Sequence, residues 1–343
     1  MVRILPNGAL DYTFDAGPID GNNGATSEAV YNILPLEADK IFVAGSFNSI
    51  ASMTRWSAAR LSLHKYVTRS PSDFDGDGRT DIALFRPSNA AWYWLKSYGG
   101  EFRATSWGAA TDRIVPADYD GDGITDIAAF RPAEGRWYIL SSSANTFLTV
   151  SWGTQSDKPA PADFDGDGRA DLSIFRPSDG RWWIDRTLHG AYSVQFGQQG
   201  DEPVVADYDA DGRADIGIYR PSRGEWWIDR SSVGGIALQF GSSSDLPVQG
   251  DFTGDRKADI AFWRPSTGEW YVLRSEDLSY FAFPFGSSGD LPAPGDYDGD
   301  GKFDAAVFRP SNATWYIGRT TAGTHIAQFG ATGDQPVANA FVP

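Results

Sequence analysis

Cysteine is absent from the 343-residue chain, and methionine and histidine are scarce, at two and three residues. Without cysteine there is no disulfide framework, no thiolate zinc site and no cysteine nucleophile. The histidines, His64, His189 and His325, form no H-E-x-x-H motif, and the chain has no G-x-S-x-G. No apolar run is long enough to cross a membrane as a helix. The N-terminal MVRILPNGALDYTF lacks the apolar stretch of a signal peptide, so an export signal is expected to lie outside this chain, which reads as a fragment or processed form. Positive charge is also short: 29 Lys and Arg stand against 45 Asp and Glu, a formal net charge of −16. Such a chain repels phosphate backbones and anionic lipid, which argues against nucleic acid as a partner and against membrane insertion.

Aromatic side chains are plentiful, at 14% of residues with 13 Trp, and there are 38 Gly. Aromatics punctuated by Gly and Pro suit short strands and tight turns. A hydrophobic fraction of 41% is enough for a core. The residues recur in phase. An Asp opens an acidic loop at Asp73, Asp118, Asp163, Asp207, Asp251 and Asp296, and a Trp follows at Trp92, Trp137, Trp182, Trp226, Trp270 and Trp315. An aromatic residue precedes Gly108, Gly153, Gly197, Gly241, Gly286 and Gly330 in the same rhythm. A period near 45 residues indicates a solenoid, an array or a propeller.

Strand patterning decides among these. The third unit reads as a lead-in at Pro159 to Asp163, then strands at Leu172 to Arg176, Arg181 to Asp185 and Ala191 to Phe196, with a turn at Pro177 to Gly180. No helical spacing of apolar residues is sustained. Four short antiparallel strands per repeat of this length is a propeller blade, so the fold class is all-β. Six full repeats occupy residues 67–333. Residues 334–343 look like one more lead-in strand, with Ala340 where the others have their first Asp. Residues 1–66 carry strand-like runs at Ala29 to Leu36, Lys40 to Phe47 and Ala58 to Leu63. An open sheet edge invites aggregation, and two chain ends sharing a blade would hide it. The expectation is therefore one domain, a seven-bladed β-propeller of four-stranded antiparallel blades. Its closing blade takes three strands from the N-terminal segment and one from the C-terminal segment. The alternative is that the N-terminal segment ends a separate domain.

The loops carry the chemistry. In the first, Asp73, Asp75, Asp77 and Asp81 offer carboxylates, the Arg79 carbonyl offers a fifth oxygen, and Gly78 permits the sharp turn. The set recurs as Asp118, Asp120, Asp122, Ile124 and Asp126; as Asp163, Asp165, Asp167, Arg169 and Asp171; as Asp207, Asp209, Asp211, Arg213 and Asp215; and as Asp296, Asp298, Asp300, Lys302 and Asp304. The fifth loop departs, with Asp251, Thr253, Asp255, Lys257 and Asp259, and with Arg256 where Gly belongs. Oxygens at alternate positions suit Ca2+, which takes about six to eight of them at about 2.3–2.6 Å. An EF-hand would need a Glu where the first loop has Leu84. Carboxylates this close repel unless a cation sits among them, and recurrence in phase speaks against a merely solvated turn. The expectation is Ca2+ in five loops, with the Asp251 loop weak or empty and the metal structural. Extracellular calcium modules bind at about 10⁻⁴–10⁻³ M, so such sites point to a secreted or cell-surface protein.

The segment DFDGDGRTDIALFRPS at Asp73 to Ser88 resembles the FG-GAP/VCBS repeat family, which includes integrin α-subunit propellers and certain fungal lectins. The resemblance runs through all six repeats. It implies a seven-bladed propeller with calcium in the blade loops, in an extracellular protein that binds ligands or adheres. NGALDYTF at Asn7 to Phe14, KIFVAGSF at Lys40 to Phe47, and Arg60-Leu61 resemble a delta-sixty-type bacterial propeller repeat.

Each repeat pairs its Trp with a following Trp or Tyr, and strand neighbours face opposite sides. Trp92, Trp137, Trp182, Trp226, Trp270 and Trp315 are the candidate ligand-contacting residues, since a Trp beside polar groups suits sugar stacking; the bland alternative is packing between blades. The recurrent Arg of F-R-P is read as pairing with a nearby Asp or capping strand carbonyls. No blade carries an extra polar constellation, so no catalytic residue is assigned and no enzyme is expected. The functional expectation is a calcium-binding, ligand-binding or adhesion module of a larger secreted bacterial protein, its partner a protein or a glycan. The alternatives are a lectin with repeated sites between blades and a carbohydrate-active enzyme.

Overall fold

The computed structural model describes residues 70–144 and 146–337, together with the backbone of short strands within the first 62 residues. Two compact units are present, Met1–Val67 and Thr68–Pro343. In the first, Ala29–Glu37, Lys40–Ser46 and Ala58–Ser62 pair antiparallel in a three-stranded sheet, on the runs read from the sequence.

The second unit is a propeller of six four-stranded antiparallel blades. Blade 2 is Arg113–Ile114, Ile127–Arg131, Arg136–Leu140 and Phe147–Ser151, hydrogen-bonded in that order. Blade 3 is Lys158–Pro159, Leu172–Arg176, Arg181–Arg186 and Gly190–Gln195. Blades 4 to 6 repeat the pattern through Gln328. Second strands such as Leu172–Arg176 are buried along four of five residues, because neighbouring blades cover both faces. Fourth strands such as Gly190–Gln195 are largely exposed, as edges are.

The ring closes on blade 1, which corrects the expected seven blades to six. Gln335–Pro336 pairs with Ile82–Arg86, placing Gln335 opposite Phe85 and Pro336 opposite Leu84. The Val337 amide donates to the Ala83 carbonyl at 2.9 Å, and the Ser72 hydroxyl donates to the Val337 carbonyl at 2.8 Å. The C-terminal strand thus completes the first repeat, not a blade shared with the N-terminal segment. A ring of backbone bonds carries the same count. The amide before each loop's fourth Asp donates to the carbonyl of the preceding loop's first Asp: Thr125 to Asp73, Ala170 to Asp118, Ala214 to Asp163, Ala258 to Asp207, Phe303 to Asp251, and Thr80 back to Asp296.

Candidate metal-binding loops

Each loop leads into the second strand of its blade, in blades 2 to 6 directly from the first, and the acidic positions do different work. The first Asp folds the loop on itself: Asp73 Oδ1 accepts from the Gly76 amide at 2.7 Å and Oδ2 from the Gly78 amide at 2.8 Å. The third Asp turns the chain back, with Asp77 Oδ1 accepting from the Arg79 amide at 2.9 Å. The Ile124, Arg169, Arg213, Lys257 and Lys302 amides donate to their third Asp in the same way. The fourth Asp is buried and bridges two elements. Asp171 accepts from the Phe164 amide within its loop and from the Thr187 amide in the hairpin between the third and fourth strands.

The second Asp is the distinctive one. In the third loop, Asp165 Oδ2 accepts from the Leu188 amide at 3.0 Å, while its Oδ1 is buried with no hydrogen-bond partner. Asp209 and Asp298 repeat this split, with Oδ2 on the Ser232 and Thr321 amides and Oδ1 buried and unpaired. Carboxylate oxygens converge beside these atoms. One oxygen from each of Asp73, Asp75 and Asp81 lies within 4.8 Å of the others, and so for Asp118, Asp120 and Asp122; Asp163, Asp165 and Asp171; Asp207, Asp209 and Asp215; and Asp296, Asp298 and Asp300. Buried carboxylates that keep an unpaired oxygen and stand in a cluster of their own kind fit a hard divalent cation. Among the described residues, the Asp251 loop forms no such cluster. There Thr253 turns its amide to Asp259 Oδ2 at 3.1 Å, and Arg256 takes a left-handed φ of +71° where the first loop has Gly78. The fourth loop has a related substitution, with Ala210 at φ +63°.

Burial pushes the fourth Asp upward. Asp81, Asp171, Asp215 and Asp304 rise to about 7, and Asp126 and Asp259 to about 6. Desolvation raises them, and the amides of the loop and hairpin hold them back.

One contributor escaped the sequence reading although it recurs in phase. Ser97, Ser142, Thr187, Ser231, Ser275 and Thr320 open the hairpin between third and fourth strands, and each hydroxyl donates to the third Asp of its loop, with Ser231 Oγ to Asp211 Oδ2 at 2.6 Å. A second in-phase set is structural. Arg86, Arg131, Arg176, Arg220, Arg264 and Arg309 make bidentate pairs with Asp334, Asp112, Asp157, Asp201, Asp245 and Asp290.

The six candidate ligand-contacting tryptophans lie inside the blades. Trp92, Trp137, Trp182, Trp226, Trp270 and Trp315 are at most 1% exposed, so they offer no ring face to a ligand. Five of their indole N–H groups donate to carbonyls, as Trp226 does to Phe240 at 2.7 Å. The partner ring of each pair is half-buried, or exposed in the case of Trp227, with the recurrent arginine over Tyr93, Tyr138, Trp183, Trp227, Tyr271 and Tyr316 at 4.3–5.4 Å.

Fold and loops together define a six-bladed propeller built from acidic-loop repeats. The FG-GAP-like repeat profile matches residues 73–129 and 118–174, so the chain carries FG-GAP-like repeats. No curated protein matches the chain. Among solved structures, an Agrocybe aegerita lectin that recognises non-reducing terminal N-acetylglucosamine is 17% identical, with a TM-score of 0.50 over 88% of this chain and 90% of the lectin. A Staphylococcus aureus virginiamycin B lyase is 7% identical, with a TM-score of 0.48 over 91% of this chain and 88% of the lyase. At these identities the lectin match bears on fold alone.

Proposed function

We propose that the propeller is a calcium-stabilised binding module that works outside the cytosol, the metal holding the loops in place. The observation that carries this reading is the buried, unpaired Oδ1 of Asp165, Asp209 and Asp298, each on a cluster of three carboxylates. Leaving such an oxygen unpaired is destabilising, and a cation removes the penalty. Divalent ions in the loops would also offset much of the net charge of −16. At ten times Kd, each bound ion adds about 1.4 kcal/mol to the stability of the fold. Five ions raise Tm by on the order of 10 °C or more for a unit of this size. Melting in millimolar CaCl2 against EDTA tests it, and an unchanged Tm sinks the calcium reading. No catalytic step is proposed.

A second reading, glycan binding, is favoured by the one exposed ring of the partner set, Trp227. Trp227 is 39% exposed, with Arg220 over its ring at 5.4 Å and Glu225 Oε2 accepting its indole N–H at 3.2 Å. An aromatic face flanked by charged groups suits a pyranose. The like-folded Agrocybe lectin makes terminal N-acetylglucosamine the first sugar to try. On a glycan array in calcium, retention lost in Trp227→Ala is the expected result, and no retention by the unaltered protein removes the lectin reading.

A further inference from the structure

We propose that the seam between blades 2 and 3 is a binding pocket for an alkylammonium group, with Asp185 as its counter-ion. A cavity of about 340 Å³ opens there, within the size range of small-ligand sites. Ile139, Leu148 and Val150 line it from blade 2, and Leu172, Asp185 and Arg186 from blade 3.

This seam breaks the repeat. The fourth-strand residue opposite Ile139 is Leu148. The corresponding residue in blade 3 is Tyr192, which stands opposite Ile184 and packs against the cluster that includes Ile216 of blade 4. In blade 4 it is Ile236, packed with Ile260 and Leu273 of blade 5. Leu148 is smaller than Tyr192. The residue across the seam, at the position that Leu273 holds in blade 5, is Asp185. An acidic side chain therefore stands on a wall that is apolar in blade 5; Asp229 holds the same position in blade 4, but there the larger Tyr192 stands across the seam, so the pairing of Leu148 with an Asp is what sets this seam apart.

Asp185 is half-buried, and among the described residues its carboxylate accepts no hydrogen bond and makes no ion pair. Its polar neighbours are committed elsewhere. Arg186 donates to the Gly190 and His189 carbonyls and lies over the Tyr192 ring at 4.5 Å. The Thr187 hydroxyl donates to Asp167 Oδ2 at 2.6 Å. A partly desolvated carboxylate among aliphatic walls is matched by a positive charge carried on a hydrocarbon chain: the ammonium meets Asp185 and the methylenes cover Leu148 and Val150. The net charge of −16 favours the approach of a cation. The inference does not depend on the loops holding metal.

The test is an NMR titration of the full chain with n-pentylamine, with capped lysine (Nα-acetyl-lysine N-methylamide), and with capped norleucine as the uncharged control. The expected result is saturable binding of the ammonium probes and none of norleucine. Asp185→Asn is expected to weaken binding about tenfold. Leu148→Tyr fills the space as Tyr192 does next door, and is expected to abolish binding while Tm stays level, which separates a blocked pocket from a misfolded one. Capped lysine binding tighter than pentylamine supports a peptide side chain as the natural ligand, and the reverse supports a free amine. Equal affinity in Asp185→Asn, norleucine binding as tightly as lysine, or no saturable shift in the unaltered protein overturns the proposal.

Discussion

Asp171 shows what the fourth loop position does and how it should respond to pH. Its carboxylate is fully buried, accepts amides from its own loop and from the hairpin at Thr187, and is pushed up to about 7 by desolvation. Asp81, Asp215 and Asp304 sit at about 7 as well, and Asp126 and Asp259 at about 6, from an ordinary value of 3.8. A carboxyl raised on folding holds its proton more tightly in the folded chain than in the unfolded one. Its favourable contribution is complete below the unfolded value and is lost as pH climbs through the folded value. In EDTA the propeller should therefore melt at a lower temperature at about pH 8 than at about pH 5, and the gain from calcium should be larger at the higher pH, where the ionised ligands exist. Thermal melts at the two pH values, with and without calcium, check this. A metal-free Tm that is flat or rises between them contradicts the protonation of these six groups.

At the scale of elements, the strands and loops were legible because their signals are local. Alternation, Pro-Ser turns and the acidic loops each occupy a few adjacent residues, so LSIFR at Leu172–Arg176 and the loop from Asp163 to Asp171 stand where the pattern puts them. The site's other half was harder to read. Ser231 and Thr187 repeat with the same period as the loops, yet a lone hydroxyl beside a turn carries no distinctive signal until the hairpin folds onto Asp211 and Asp167. The tryptophans failed for a related reason. Alternation says that adjacent rings face opposite sides but not which side is solvent, and the first of each pair, Trp226 for example, is the buried one. The left-handed Arg256 could be inferred from the missing Gly, whereas Ala210 at the neighbouring loop's Gly position passed unnoticed because all four of that loop's aspartates remain.

For the whole molecule, the blade count was written in residues whose partners lie far along the chain. Five of the recurrent arginines, each between an aromatic residue and Pro, find their Asp 19 residues upstream, as Arg131 finds Asp112 and Arg220 finds Asp201. The first, Arg86, has Val67 at that distance and instead pairs with Asp334, 248 residues away. Six arginines and six in-phase aspartates thus match only if the last Asp serves the first Arg, which fixes six blades. Asp334 is fully shielded and holds Arg86 at 2.6 and 2.8 Å, so removing it strands a guanidinium against a shielded site. Because 28% of the Arg86 side chain stays in water, the loss is smaller than the roughly 3–5 kcal/mol of a fully buried pair, and about 2 kcal/mol lowers Tm by on the order of 5 °C. Asp334→Ala should therefore destabilise the propeller about as much as Asp201→Ala does within a blade. Residues 68–343 expressed alone should still melt cooperatively, and removing residues 334–343 as well should abolish that transition, because blade 1 then loses its first strand and the ring is open. Differential scanning calorimetry of these chains decides it: an Asp334→Ala protein as stable as the unaltered one, or a propeller that no longer folds once residues 1–67 are removed, would mean that the ends close the ring in some other way.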